Sequence, residues 1–547
     1  MADGVVIGAG PNGLTAANVL ASAGWDVVCL EAQSEPGGAA RSGPLTGEPG
    51  FTHDYFSAFY PLSAASPAFR PLDLEAHGLR WRRTPLVVSH PVRDGLTASL
   101  SMDLEETCAS FDAFAPGDGD AWRRLYGLWQ KIGDDLVEAL LGRVFPPVGP
   151  TVKMAASLRR DLVRFVRFGL LPVRRLGEEE FRGEGAPRLL ASNALHADLT
   201  PDSVAGGLYG WLLCCIGQQR GWPVPEGGAG GITAALVRRL RSEGGMLECD
   251  ARVASVIVRR RRAVGVRLAD GREISARRAV IADVGAPQLF LDLVGRDHLP
   301  GNLIDDLERR FQYDSGTVKV DWALDGPIPW ISDDARRAGT VHVAEGMDAL
   351  TEFTSQLNRK LIPSEPFLLF GQYSMGDPTR APAGKETAWG YTHVPQDVRG
   401  DAGGDGLTGS WDERETEVFV RRMEDQVEAL APGFRDLIRA RHVWTPVNME
   451  QADQNLVGGA VNGGTAQLHQ QIVFRPVPAL LGRPETPVRG LYLGSASAHP
   501  TGGVHGACGA NAARAALAWS RAGRTAVALG GGAALAGVVR GARRGRG

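Results

Sequence analysis

The feature that most constrains this chain is glycine in two places, almost its whole length apart. Near the start, "GVVIGAGPNG" sets Gly8, Gly10 and Gly13 as G-x-G-x-x-G directly after the apolar run Gly4 to Ile7, and "LTAANVLASAG" continues with helical spacing to Gly24. Near the end, "GLYLGSASAHP" reads as a buried strand leaving at Gly494, and "GGVHGACGANAARAALAW" as a helix entered through Gly502 and Gly503. Each unit is strand, turn, helix. Each therefore predicts a helix N-terminus whose unpaired N–H groups can face an anionic ligand.

In the first unit, Gly8 permits the tight turn, Gly10 allows a pyrophosphate to approach the backbone, and Gly13 allows helix and strand to pack closely. The second strand, "DVVCLEA", ends at Glu31, roughly twenty residues past the glycines, where a carboxylate accepts hydrogen bonds from a ribose hydroxyl. Adenine-dinucleotide binding follows, in an α/β Rossmann-like unit. In "EAQSEPGGAARSG", Gly37 and Gly38 follow the acidic strand end, and Arg41 comes just after. Paired glycines there resemble the second flavin fingerprint of the glutathione-reductase-like FAD families, which implies FAD, and one strand-turn-helix holds only the adenosine and pyrophosphate end of a cofactor that long. The C-terminal unit supplies a second helix N-terminus for the flavin end, where its dipole would stabilise negative charge on the ring.

The bulk numbers set the limits. At 547 residues the chain exceeds one compact domain. A net charge of -3, with 44% hydrophobic and 22% charged residues, describes an ordinary globular protein with no basic pull toward nucleic acid. Cys29, Cys108, Cys214, Cys215, Cys249 and Cys508 form no C-x-x-C pair, and no His or Cys spacing suits a metal. Cys214 and Cys215 sit in apolar "LYGWLLCCIGQQ" and read as core, which disfavours disulfide reductase chemistry. The N-terminus reads as structure rather than a leader, so a reducing, cytoplasmic location is expected. No run of eighteen apolar residues predicts a membrane span.

Taken together, the N-terminal unit, "GGAARSG", "PEGGAGGITAALVRRL" and "LYLGSASAHPTGGVHGACGANAA" resemble the phytoene desaturase superfamily of FAD-dependent oxidoreductases. "FTHDYFSAFYPLSAASP", "SGTVKVDWAL" and "TPVNMEQADQNLVGGAVNGGTAQLHQQIVFRP" resemble, within it, the branch of pyridine nucleotide-disulfide oxidoreductase domain-containing proteins. The resemblance implies a glutathione-reductase-like FAD-binding domain with an inserted α+β substrate domain containing an antiparallel sheet. It puts Gly8, Gly10, Pro11, Asn12 and Gly13 at the pyrophosphate, Glu31 at the ribose, and Gly38 with Arg41 beside the cofactor. Val253 would face adenine, and Gly494, Ser495, Gly503 and Val504 would lie at the flavin end. Ser495 departs from the pattern, because many FAD proteins carry an acidic residue just after the last strand glycine.

The cofactor segments are far apart in sequence, so the FAD unit is expected to be discontinuous, from 1–80, 220–290 and 485–525. The insertions 81–219 and 291–484 make the substrate or lid domain, and 526–547 forms an Ala/Gly-rich basic tail. In "VKMAASLRRDLVRFVRFGLLPVRRLG", spanning 152–177, apolar residues alternate with Lys153, Arg159, Arg160, Arg164, Arg167, Arg174 and Arg175, and helical spacing lets the arginines occupy one face and Met154, Leu158, Leu162, Phe165 and Val166 another. That helix either closes over the active site with a solvated face or lies on a membrane surface, as could the tail.

A flavin takes the hydride, so few obligatory polar catalysts are expected. His499 after the last strand, His505 at the start of the last helix, and Lys319 in the alternating "GTVKVDWAL" are the candidates for proton handling; Lys319 either faces the cavity or is an exposed sheet lysine. Three functions stay open. The first is desaturation of an apolar isoprenoid, polyene or acyl-like molecule with oxygen, quinone or nicotinamide as acceptor. The second is an NAD(P)H-linked reductive cyclase or isomerase of a polyene. The third is a flavoprotein with a regulatory or interaction role.

Overall fold

The computed structural model describes residues 1–93, 95–142 and 148–528. Fourteen strands longer than two residues occur among them: β1 (Ala2–Ile7), β2 (Val27–Leu30), β3 (Leu86–Pro91), β4 (Thr97–Leu100), β5 (Met246–Glu248), β6 (Val253–Arg259), β7 (Arg262–Leu268), β8 (Glu273–Ala282), β9 (Gly316–Leu324), β10 (Ala338–Val343), β11 (Leu368–Gln372), β12 (Glu386–Val394), β13 (Ile438–Trp444) and β14 (Leu491–Leu493). The helices needed for the site are α1 (Pro11–Ser22), α2 (Val148–Leu158), α3 (Leu162–Leu170), α4 (Val173–Glu180), α5 (Gly206–Arg220), α6 (Gly230–Ser242), α7 (Glu413–Leu430) and α8 (Ala507–Ala528).

The first sheet runs β6-β7-β8-β1-β2-β5, with β14 added to β8. Its centre is parallel, β8 to β1, β1 to β2, β2 to β5 and β8 to β14. β8 is ten residues long because its first half closes an antiparallel hairpin with β7 and its second half enters the parallel sheet. Burial on both faces explains the unbroken apolar strands. Val6 and Ile281 pack with Leu14, Leu20, Ile232, Leu236 and Ala512 under α1, α6 and α8, while Val5, Ile7, Val280 and Leu491 pack with Leu289, Phe290 and Leu303 on the other side. Each such Val, Leu, Ile or Phe side chain contributes about 1.5–3 kcal/mol by leaving water.

The second sheet runs β13-β9-β12-β11-β10-β3-β4. It is antiparallel except where β3 lies parallel to β10. Strand β9, second from one edge, alternates with period two. Val318, Val320, Trp322 and Leu324 pack against Phe419, Val420, Met423 and Val427 of α7. Thr317, Lys319 and Asp321 point the other way. α7 begins at Asp412, whose side chain accepts from the Glu415 N–H, and that local cap pins the helix over the sheet.

The expected single helix over 152–177 divides. α2 ends at Leu158, a 3₁₀ turn spans Arg159–Asp161 with Arg159 at φ 48, α3 stops before Leu171, and α4 starts after Pro172. Pro172 lacks the N–H a continuous helix would need and forces Leu171 into extended backbone. The apolar residues also divide. Phe165 and Phe168 turn inward, whereas Leu162 and Val166, expected on the same face as Phe165, are exposed. Residues 529–547, most of the expected tail, lie outside the described residues.

Candidate active site

The ends of β1, β2, β8 and β14 come out together at the carboxyl edge of the first sheet, where ligands of open α/β sheets bind. The Gly8 N–H donates to Leu30, Asp283 N–H to Ile7, and Gly494 N–H to Ala282, which fixes the four strand ends level with one another. Gly8 turns at φ 89, in the left-handed region. A Cβ at Gly13 would come within 2.0 Å of the Gly8 carbonyl oxygen, so Gly13 is where α1 presses on its own turn. The two glycine-rich helices meet each other as well: a Cβ at Gly509 of α8 would sit 1.8 Å from the Asn12 carbonyl oxygen of α1.

Both entrances open on one elongated cavity of about 500 Å³, a size typical of a ligand site. Gly8, Gly10, Pro11, Asn12, Glu31, Gly38, Arg41, Val253, Ser495, Gly503 and Val504 all line it. Gly13 and Gly494 do not. Gly13 supports the turn, and a Cβ at Gly494 would touch Ile281 and Ala512, which makes it a packing position under α8. Glu31 is held by the Ala9 and Gln33 N–H groups at 2.8 and 3.0 Å, although burial raises its carboxyl overall. Arg41 donates to the carbonyls of Gly38 and Ala452 and lies over the Tyr55 ring, so its planar head is positioned before any ligand arrives.

Asp283 was not anticipated. It follows β8, lines the cavity, and accepts the Gly13 N–H at 2.8 Å. Burial pushes its carboxyl up to about 8, against the pull of that hydrogen bond, with Asp453 and Glu31 adding like charge. An acidic group thus stands at this edge one strand away from Ser495.

Lys319 resolves to the cavity wall. Its side chain is 1% exposed, lines the cavity, and donates to the Asp54 carbonyl at 2.8 Å and to both oxygens of Asp321 at 2.5 Å. Asp54 is paired with Arg380 at 3.0 Å, and the Arg380 guanidinium lies 4.2 Å from the Tyr373 ring centroid. Two buried cations therefore balance two buried anions. Burial raises Asp321 to about 6 even beside the ammonium, and it lowers Lys319 despite Asp321. Opposite Lys319 in register stands Tyr391, and its ring stacks with Trp389 two residues earlier at 5.9 Å and 14°. Trp389, Tyr391, Tyr209 and Leu213 continue the cavity wall, with His196, whose Nε2 meets His342 Nε2 at 2.9 Å. Burial lowers His196 to about 3, so both rings are neutral. Alternation along β12 was the one signal that could have singled out Trp389 and Tyr391.

The two histidine candidates lie elsewhere. His499 and His505 are buried, lie off the cavity wall, and are each lowered to about 4 chiefly by burial. His505 precedes α8 rather than starting it, and its Nδ1 accepts the Ala507 N–H. It serves as a local brace at the helix entrance. Cys214 and Cys215 are buried free thiols raised by burial, and Cys214 accepts from Asn193.

Comparison with known proteins bears on the first sheet and on the class of protein. A family model described as an NAD(P)-binding Rossmann-like domain matches residues 6–72. Pyridine nucleotide-disulfide oxidoreductase domain-containing protein 2 of Mus musculus is 28% identical over 93% of this chain and 92% of that protein. A phytoene desaturase of Fusarium fujikuroi is 26% identical over 91% of this chain and 86% of its own. The chain is an oxidoreductase homologous to the phytoene desaturases. A putrescine oxidase structure superposes with a TM-score of 0.59 at 15% identity, covering 94% of this oxidoreductase and 99% of that chain, which is a likeness of fold. Among the described residues no helix is long and apolar enough to cross a membrane.

Proposed function

We propose that this oxidoreductase holds FAD in the elongated cavity and desaturates an apolar isoprenoid, polyene or acyl-like substrate against the second sheet. The observation that carries the reading is one cavity that touches both glycine-rich helix entrances and then runs on to an aromatic wall. The glycine-lined stretch fits a dinucleotide. A Cβ at Gly38 would come within 3.2 Å of Gly10 Cα, and one at Gly502 within 2.5 Å of Asn462 Cα, so a side chain at either position would push apart the backbone that shapes the cradle.

In this reading, 1–80, 220–290 and 485–525 form a glutathione-reductase-like FAD unit, and the insertions form the substrate unit. Glu31 and Val253 would hold the adenosine end, Gly10, Asn12, Gly38 and Arg41 the pyrophosphate, and Ser495, Gly503 and Val504 the flavin end. When bound, FAD would supply the hydride acceptor. The chain's own work is to hold the substrate flat against Trp389 and Tyr391, exclude water, and manage the accompanying proton. Lys319, which lines the cavity and is paired with Asp321, would be the residue for the last task. Buried free thiols suit a reducing, cytoplasmic setting.

The test is anaerobic bleaching of the yellow holoprotein by saturated isoprenoids and acyl chains in detergent, beside NADH and NADPH. Bleaching by an apolar donor alone is the expected result; fast bleaching by a nicotinamide would replace the reading with a reductive one. Gly10→Val should leave protein without flavin. Stoichiometric flavin in that variant would remove the α1 entrance from the site.

A further inference from the structure

The aromatic end of the cavity carries polar atoms that the fold itself leaves unused. His196 engages His342 through Nε2, and its Nδ1 has no partner among the described residues. The Tyr391 hydroxyl reaches only the His196 carbonyl among them, at 3.5 Å, too long for a strong bond. Tyr209 of α5 makes no side-chain hydrogen bond among the described residues, and it lies close enough to Tyr391 to raise that hydroxyl beyond what burial does. Thr317, diagonal to Tyr391 across β9 and β12, adds a buried Oγ1 with no partner. All four residues line the cavity. A bare hydrocarbon lying here would strip water from these groups and return no hydrogen bond, which is unfavourable for each group left unsatisfied.

The charge of this corner selects the ligand group. Burial raises the Tyr209 and Tyr391 hydroxyls and lowers the His196 imidazole, so all three are neutral. Lys319, opposite Tyr391, has its ammonium engaged by Asp321 and the Asp54 carbonyl. A carboxylate would meet no free cation here among the described residues, and it would feel Asp198 and Asp314, which already raise the tyrosines. An ammonium would meet no carboxylate on the wall beside them, since Asp198 and Asp314 lie off the lining and are engaged by Thr465 and by the Val461 and Asn462 N–H groups. We propose that this corner is an oxygen-binding subsite, and that the substrate is an isoprenoid or alkyl chain carrying a neutral hydroxyl or carbonyl group, held by His196, Tyr209 and Tyr391. The two phenol hydroxyls donate to that oxygen, and His196 Nδ1 accepts or donates according to which ring of the histidine pair carries the shared proton. Holding one end of the chain also fixes which of its bonds reaches the reacting position. The inference rests on the reading of this cavity as the substrate site, and it narrows that substrate from an apolar chain to an oxygenated one.

The test is equilibrium dialysis of the full-length protein, purified with its bound cofactor, against the saturated isoprenoid farnesane and against the alcohol, aldehyde, carboxylic acid and primary amine of the same chain. Each affinity is corrected for the ligand's own partition into detergent. The alcohol and aldehyde are expected to bind about tenfold or more tighter than farnesane. Tyr209→Phe with Tyr391→Phe, and separately His196→Gln, which keeps a polar partner for His342, should remove that advantage and leave the affinity for farnesane unchanged. Unchanged melting temperature and flavin content would show these variants folded. Equal corrected affinities, tightest binding by the acid or the amine, or an alcohol advantage that survives both variants would each overturn the proposal. Failure of the desaturase reading looks different: an alcohol held by the tyrosines that never bleaches the flavin would count against desaturation and leave the subsite standing, whereas bleaching by farnesane and alcohol alike at equal affinity would do the reverse.

Discussion

Asp283 carries the sharpest residue-scale consequence. Its carboxyl stands near 8 in the fold against an ordinary 3.8, so the fold favours the protonated form. That contribution is complete below about pH 4, where the unfolded carboxyl is protonated too, and is lost as pH rises toward 8. Asp283→Asn keeps an acceptor for the Gly13 N–H and removes the cost of ionisation. In flavin-free protein it should raise stability by on the order of a few kcal/mol at pH 9, with the two denaturation curves converging near pH 4. A constant difference at all pH values would mean that ionisation is not the cause. Lys319 gives a second expectation. Lys319→Met strands Asp321 without its cation and should cost about 3–5 kcal/mol in urea unfolding, whereas adding Asp321→Leu should recover part of that loss. Equal losses in the single and double variants would show that the pair does not organise the wall.

Among the elements, the crossing of α1 and α8 matters most, because it brings two helix N-termini to one cavity. Gly509 has no room for any side chain against the Asn12 carbonyl, a backbone atom that cannot step aside without moving α1. Gly509→Val should therefore destabilise the protein by about 3 kcal/mol or more and reduce bound flavin at the same time. A stable, fully flavinated variant would mean the helices separate freely. The strand-turn-helix units themselves were legible, since hydrophobic period and glycine position are local signals. The stretch over 152–177 was legible only as amphipathic. Its break at Pro172 is a local backbone rule that the apolar pattern masked, and which of its apolar faces is covered depends on α5, which begins beyond it in sequence.

For the whole molecule, the sequence by itself determined the glycine turns, the acidic strand end at Glu31, and the alternation of β9, because each follows from backbone geometry or side-chain period over a few residues. Those sufficed for a Rossmann-like dinucleotide unit and for the glycine-lined end of the cavity, but not for most of its wall. The tertiary structure decided which chemistry-bearing side chains meet. Asp283 contacts a residue 270 positions away, His196 one 146 away, and Lys319 is buried by Asp54, 265 positions away. It also moved His499 and His505 off the wall. A buried charge keeps or loses its proton according to partners gathered from distant strands, and no window of sequence contains that set.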